Sequence, residues 1–412
     1  MVYEKRYENG LRLVVKKMAG LSSVSMGILV GTGASVETDQ EDGISHFIEH
    51  MQFKGTKKRT AFEISDAFDR IGADVNAFTS KEITCYYSKA TADHARDAFE
   101  LLSDLFLNAT FPEEEMDREK GVVCEEIAMN EDTPEDLCLD LLSSAFYGKR
   151  NYGRNILGPC ENVRSFTRED IARYKRARYC PQNIVISFAG GIDFQTASAL
   201  VEEYFGTLET GNFEARQRII QPAYESFVRQ KPIEQMHFAI GYSALSRDHQ
   251  LADALNMFNG VLGGSMSSRL FQEVREKLGL AYSVYSYLSP FEECGSLVVY
   301  AGVNPESALK AYEAVNDVVD KLKKEGITED EFLRGRERLK AGMIFSQENT
   351  SSQMLLYGKY MLFNDRLFDE NEKLNRLNGV TMDDIREAIS LTFDNEKKAL
   401  ALVGNTTEAL VK

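Results

Sequence analysis

Three residues of one short segment, HFIEH, have the types and the spacing for hydrolytic chemistry: His46, Glu49 and His50. On a helix, residues four apart share a face, so both imidazoles can reach one ion. A neutral imidazole ligates zinc at about 2.0–2.1 Å. Glu49, one position from His50, lies beside the same face. Its carboxylate can take the proton of a water that attacks a carbonyl carbon beside the metal. The plainer reading is a helix that merely contains two histidines. The chain has only five. Two of them falling four apart, with a glutamate in this place, favours the metal.

A catalytic zinc takes three protein ligands and keeps one position open. The third has to come from elsewhere in the chain. The segment after Pro112 supplies Glu113, Glu114, Glu115, Glu119, Glu125 and Glu126. Glu119 and Glu126 are seven apart, two helical turns, and share a face. Composition does not choose between them. Glu113 to Glu115 read as a solvated acidic face. A purely structural zinc site would need a fourth protein ligand, and none is apparent. The cysteines (Cys85, Cys124, Cys138, Cys160, Cys180, Cys294) form no CxxC pair. In a chain this long they read as free, mostly buried thiols of a reducing compartment.

The elements that must position these residues follow from periodicity and turn signals. LRLVVKK and VSMGILVGTG read as two strands of an opening hairpin, with Ala19 to Ser22 between them. Helices are expected over Gly43 to Lys54, Ala61 to Ile71, Ala92 to Phe106, Pro112 to Asn130 and Pro134 to Tyr147. Strands are expected at Asp74 to Phe78, Ile83 to Ala90 and NIVISFAGG, with a helix from Phe194 to Phe205. A second half repeats this grammar. ARDAFELLSDLF at Ala95 is similar to ALKAYEAVNDVV at Ala308, and FPEEEMDREKG at Phe111 to ITEDEFLRGRE at Ile327. The offsets nearly agree, which predicts two homologous domains of about 200 residues. Residues 1–208 and 235–412 are the expected domains. The polar segment 209–234, punctuated by Pro222 and Pro232, is the expected linker. Each domain is expected to be α+β, a mainly antiparallel sheet packed with helices.

A net charge of -16 argues against a nucleic-acid partner, which needs a basic face for phosphates. No apolar run approaches the roughly 20 residues of a membrane helix. The opening MVYEKRYENGLRLVV has neither a charged-then-apolar pattern nor a cleavage site. The cytoplasm is the expected address, and no membrane partner is expected.

HxxEH is the inverzincin order of ligands and base. With Glu126 in VVCEEIAMNEDTPED and the segments GTGASVE, DGISHFIEHMQFKGT, FDRIGADVNAFTSKEITCYY, ILGPCENV and FNGVLGGSMSSRLFQEVREKLGLAYSVYSY, the chain resembles the M16 metallopeptidases over essentially its whole length. This family includes pitrilysin, insulin-degrading enzyme and the mitochondrial processing peptidase. The nearest likeness is to the bacterial M16B group, the Bacillus-type processing proteases. The resemblance implies the LuxS/MPP-like metallohydrolase fold and one Zn2+ per chain. It implies His46, His50 and Glu126 as ligands, Glu49 as the base that activates the zinc-bound water, and Glu119 as a carboxylate supporting the site from behind. It also implies that Arg275 and Tyr282 hold substrate, the tyrosine helping to stabilise the oxyanion. Read without the resemblance, Arg275 is one charge of a surface helix and Tyr282 ordinary strand packing. Asp74 to Thr79 resembles the edge strand along which the family pairs a peptide, through Asn76, Ala77 and Phe78.

In the second half, Gly335 and Gly342 stand where the repeat would place Glu119 and Glu126, so that domain is expected to carry no metal. Family members enclose a chamber with four such domains. Two here imply a homodimer forming a closed chamber, in which Arg275 and Tyr282 serve the partner's zinc. The expected activity is a zinc metalloendopeptidase acting on peptides or unfolded precursor segments. The alternative is a non-catalytic scaffold or partner subunit of the same fold. The intact set His46, Glu49, His50 and Glu126 argues against it.

Overall fold

The computed structural model describes residues 1–211, 213, 215, 222–393 and 397–405. Its first sheet contains β1 (Val2–Arg6), β2 (Arg12–Lys17), β3 (Ser23–Val30), β4 (Asp74–Thr79), β5 (Thr84–Thr91) and β6 (Ile184–Gly190), in the order β1-β2-β6-β3-β5-β4. All neighbours are antiparallel except β2 and β6. The central strands β3 and β6 are buried almost throughout, as their runs SVSMGILV and IVISFAG require. DVNAFT in β4 has exposed and half-buried positions and lies at the sheet's edge.

The second sheet contains β7 (Ser226–Gln230), β8 (Met236–Ala244), β9 (Ala281–Pro290), β10 (Gly295–Val303) and β11 (Lys398–Gly404), in the order β7-β11-β8-β10-β9. Only β7 and β11 are parallel. Both sheets are covered by helices, the α+β arrangement expected. Among the described residues no helix is long and apolar enough to cross a membrane.

Three expectations are corrected. The opening hairpin is β1 with β2, not β2 with β3. Its turn is Tyr7 to Gly10, where Gly10 takes a positive φ of 91° that suits glycine. β6 inserts between β2 and β3, a long-range pairing that local pattern cannot show. Part of the expected linker, Ser226–Gln230, is β7. The cysteines are not all free: Cys124 and Cys160 form a disulfide. Their Cα atoms are 5.4 Å apart, within disulfide reach, although 36 residues separate them in sequence.

The first sheet lies within residues 1–208, whereas the second begins with β7 inside the expected linker, and the chain also divides into two compact units. The first unit runs to Ile127, resumes at Asn155 and adds Ile344–Asp369. The second includes Ala128–Arg154 and the chain from Glu370 on. In the first unit the helix Thr350–Asn364 lies on β2, β3 and β6. The approach is close, so that any side chain at Gly27 or Gly358 would displace a neighbour. A Cβ on Gly358 would meet Leu29 Cδ1 at 2.7 Å, and one on Gly27 would meet Met354 Sδ at 2.4 Å. In the second unit the helix Pro134–Tyr147 packs Leu142 and Phe146 with Ala239, Val298 and Ala401 of the sheet.

Two helices carry the expected site: α1 (Ile44–Gln52) and the 20-residue α4 (Glu113–Asp132), the latter in the first unit as far as Ile127, with α2 (Ala61–Arg70) and α3 (Ala95–Asn108) between them in the chain. In α1 the apolar residues Ile44, Phe47, Ile48 and Met51 fall at i, i+3, i+4 and i+7. That stripe is the signature of one buried helix face. It packs into a satellite core with Met116 and Val123 of α4 and with Val163, Phe166, Ile171 and Tyr174. The stripe fixes the helix's rotation and so decides where His46 and His50 can point.

Candidate metal centre

The chain enters α1 through Gly43 in the left-handed region, φ 95°. The buried carboxylate of Glu37 accepts N–H bonds from Gly43 and Ser45, each 2.8 Å, and so satisfies the helix's first free donors. Burial nevertheless pushes the Glu37 carboxyl up to about 7, with these hydrogen bonds opposing it.

One turn in, His46 is buried and His50 half-buried, their rings 4.6 Å apart and tilted by 65°. Glu126 on α4 reaches both. Its Oε2 lies 3.7 Å from His46 Nε2 and 3.4 Å from His50 Nε2. These ligand atoms all fall within 4.8 Å of one another. Two atoms each about 2 Å from a tetrahedral ion stand roughly 3.4 Å apart, so the set fits one divalent cation. It is the only such group among the described residues. Among the described residues the second unit offers none, and glycine stands at positions 335 and 342 of the helix Glu329–Gln347.

Electrostatics prepares the donors. Burial, then the neighbouring His50, holds His46 below the usual imidazole range, which keeps it neutral and ready to ligate. Burial also acts against charge on His50. There the hydrogen bonds to Glu119 and Glu126 outweigh it and raise the imidazole to about 9. The bond from His50 is also the main cause that lowers Glu126. A bound dication would take the place of that proton, since ligands must be deprotonated.

Behind the ligands, Glu119 is 4% exposed. Its Oε1 is 2.8 Å from His50 Nδ1 and its Oε2 is 2.6 Å from Lys54 Nζ. Burial opposes the charge on Glu119, yet the bonds from His50 and Lys54 overcome it and lower the carboxyl. A carboxylate on Nδ1 fixes the tautomer and leaves Nε2 free for a metal. Lys54, four residues past His50, was not among the expected site residues. The signal was there in the steps of four from His46 to His50 to Lys54.

Glu49 is half-buried on α1. Burial raises its carboxyl, and a hydrogen bond from Thr79 opposes that. Thr79 Oγ1 donates to Glu49 Oε2 at 2.5 Å. Thr79 ends β4, the strand that carries Asn76, Ala77 and Phe78 opposite Tyr87, Tyr86 and Cys85. Among the described residues the other edge of β4 has no neighbouring strand. A cleft of about 570 Å³ is lined by Asp74 and Asn76 of β4, Tyr87 and Lys89 of β5, and Phe68 and Asp69 of α2.

Arg275 and Tyr282 belong to the second unit, and the structure brings them together. Arg275 lies in a π-helical stretch, Phe271–Lys277, where an ordinary helix was expected. Its guanidinium is 4.7 Å from the Phe271 ring centre and 5.4 Å from that of Tyr282. Tyr282 is 75% exposed, so strand packing does not account for it. Inserted π-turns recur at functional sites.

Residues 12–160 match the family model described as insulinase (peptidase family M16), and residues 165–339 match that of the peptidase M16 inactive domain. An uncharacterized zinc protease of Bacillus subtilis is 42% identical, across 97% of this chain and 98% of its own length. The chain belongs to the M16 peptidase family. A second M16 relative, an uncharacterized zinc protease of Streptomyces coelicolor, is 35% identical over 96% of this chain and 88% of that one. Among solved structures, a protease from Helicobacter pylori superposes with a TM-score of 0.91 at 23% identity, covering 98% of this chain and 99% of the other. A peptidase M16 inactive domain from Pseudomonas fluorescens gives 0.92 at 20% identity, covering 99% and 98%. These two likenesses establish the M16 fold.

Proposed function

We propose that this M16 chain is a zinc metalloendopeptidase that cleaves peptides or unfolded precursor segments. The observation that carries the reading is the convergence of His46, His50 and Glu126 on one point, with Glu49 next to His50 in the same helix and held through Oε2 by Thr79. Zinc held there would supply a Lewis acid for the scissile carbonyl and a readily deprotonated water. His46 and His50 supply neutral nitrogen donors. Glu119 orients His50, and Lys54 balances the charge of Glu119. Glu49 takes the proton from the attacking water and can pass it to the leaving amine. The free edge of β4 is suited to receive an extended peptide as an added strand. One zinc per chain, a homodimeric chamber and a cytoplasmic address complete this reading.

The test is digestion of a random decapeptide library with and without a zinc chelator. Cleavage should occur, stop when the chelator strips the metal and return on adding zinc. A fully zinc-loaded chain that cuts nothing would favour the scaffold alternative.

A further inference from the structure

The base needs to be aimed as well as present, and its aim depends on a residue of the neighbouring strand. Thr79 Oγ1 donates to Glu49 Oε2, a hydroxyl bond to a carboxylate. Among the described residues this is the only hydrogen bond to the Glu49 side chain. Thr79 is itself held at both ends. Its backbone is registered against Thr84 of β5. The next residue, Ser80, closes a tight turn through its N–H and its hydroxyl, both to the Ile83 carbonyl, at 2.8 and 3.0 Å. The Ser80 carbonyl accepts from Ala34 N at 3.1 Å. The hydroxyl therefore stands at a fixed place, while Glu49 comes from α1, an independent element.

We propose that Thr79 is a positioning residue for the general base. It engages one carboxylate oxygen, fixes the rotamer of Glu49 and leaves the other oxygen for the attacking water. This deepens the peptidase reading and rests on it. The placement also joins two parts of that reading. The residue that aims the base ends the strand whose free edge would take the peptide, so docking edge and base are referenced to one rigid ladder. A base that must meet a proton within hydrogen-bond reach loses rate when its carboxylate can turn away.

The experiment uses the full zinc-loaded chain and the fluorescence-quenched decapeptide cut fastest from the library. Thr79→Val keeps the shape and removes the hydroxyl; Thr79→Ser keeps the hydroxyl. The expected result for Thr79→Val is a kcat about tenfold or more below wild type, the scale of a lost bond to a charged group. KM should stay within about twofold, because the strand edge that docks the peptide is intact. Zinc content and peptide binding to the zinc-free chain, read by fluorescence anisotropy, should not change. Thr79→Ser should return kcat to within about threefold of wild type. An unchanged kcat in Thr79→Val would overturn the proposal, as would a loss carried by KM or no rescue by serine. Thr79→Ala, which cannot overpack, is run beside it. If neither variant folds, the role is structural and the proposal falls. Wild type failing to cleave with zinc bound would instead remove the peptidase reading itself.

Discussion

Replacing Glu49 by glutamine is expected to lower peptide cleavage about a thousandfold while zinc remains bound. The side chains are nearly the same size, and Glu49 is not among the three residues whose donors converge on the metal position. The metal should therefore be kept. What glutamine lacks is a basic oxygen. Positioned acid–base groups contribute roughly 10²–10⁴-fold, and the two other carboxylates of the site are already engaged. Glu126 faces both imidazoles, and Glu119 is engaged on both oxygens by His50 and Lys54. Burial raises the Glu49 carboxyl, which moves a carboxylate base toward the pH at which it must accept a proton. The checks are zinc content by mass spectrometry and initial rates on one peptide. Cleavage within about tenfold of wild type would remove Glu49 from the mechanism.

Two inactive chains are expected to give an active mixture. One carries Arg275→Ala and Tyr282→Phe, the other Glu49→Gln. In the proposed homodimer, a site combines the zinc and base of one protomer with Arg275 and Tyr282 of its partner. A mixed dimer then holds one complete site and one doubly damaged site. Random exchange makes half the dimers mixed, so activity should return to about a quarter of wild type. The pairing of Arg275 with Tyr282, and the exposure of that tyrosine, give the variants their rationale. No recovery after verified subunit exchange would mean that each zinc is served by its own chain, or that the pair has no part in cleavage.

Much of the site was legible because it is helical. The apolar steps from Ile44 to Met51 fix one face of α1, and His46 and His50 then share another. Glu126 was different. Six glutamates lie on or near one stretch of chain, and periodicity allows two of them to face α1. Only the folded contact separates the one that reaches both imidazoles from the one that sits behind His50. Thr79 and Glu37 act across elements, so no local pattern marks them. The same holds for the disulfide, which joins residues 36 apart. For the fold, strands with strong apolar runs were readable, but their neighbours were not. β6 is recruited from Ile184–Gly190 to sit between β2 and β3. β7 is short, polar and mostly exposed, and reads as linker until β11 pairs with it. The helix Thr350–Asn364 mixes apolar and small residues around its circumference. Only its docking on β3 explains the close approach at Gly27 and Gly358, where a Cβ would displace Met354 or Leu29.

The most direct measurement is X-ray absorption at the zinc edge on the wild-type chain loaded with one equivalent of zinc. Two imidazole nitrogens at about 2.0–2.1 Å and carboxylate oxygen at about 2.0–2.2 Å, with one further light atom from solvent, are predicted. Glu126→Ala should remove a protein oxygen from that shell and weaken zinc binding. A sulfur shell near 2.3 Å, or a spectrum that Glu126→Ala leaves unchanged, would contradict the assignment of His46, His50 and Glu126 as the metal centre.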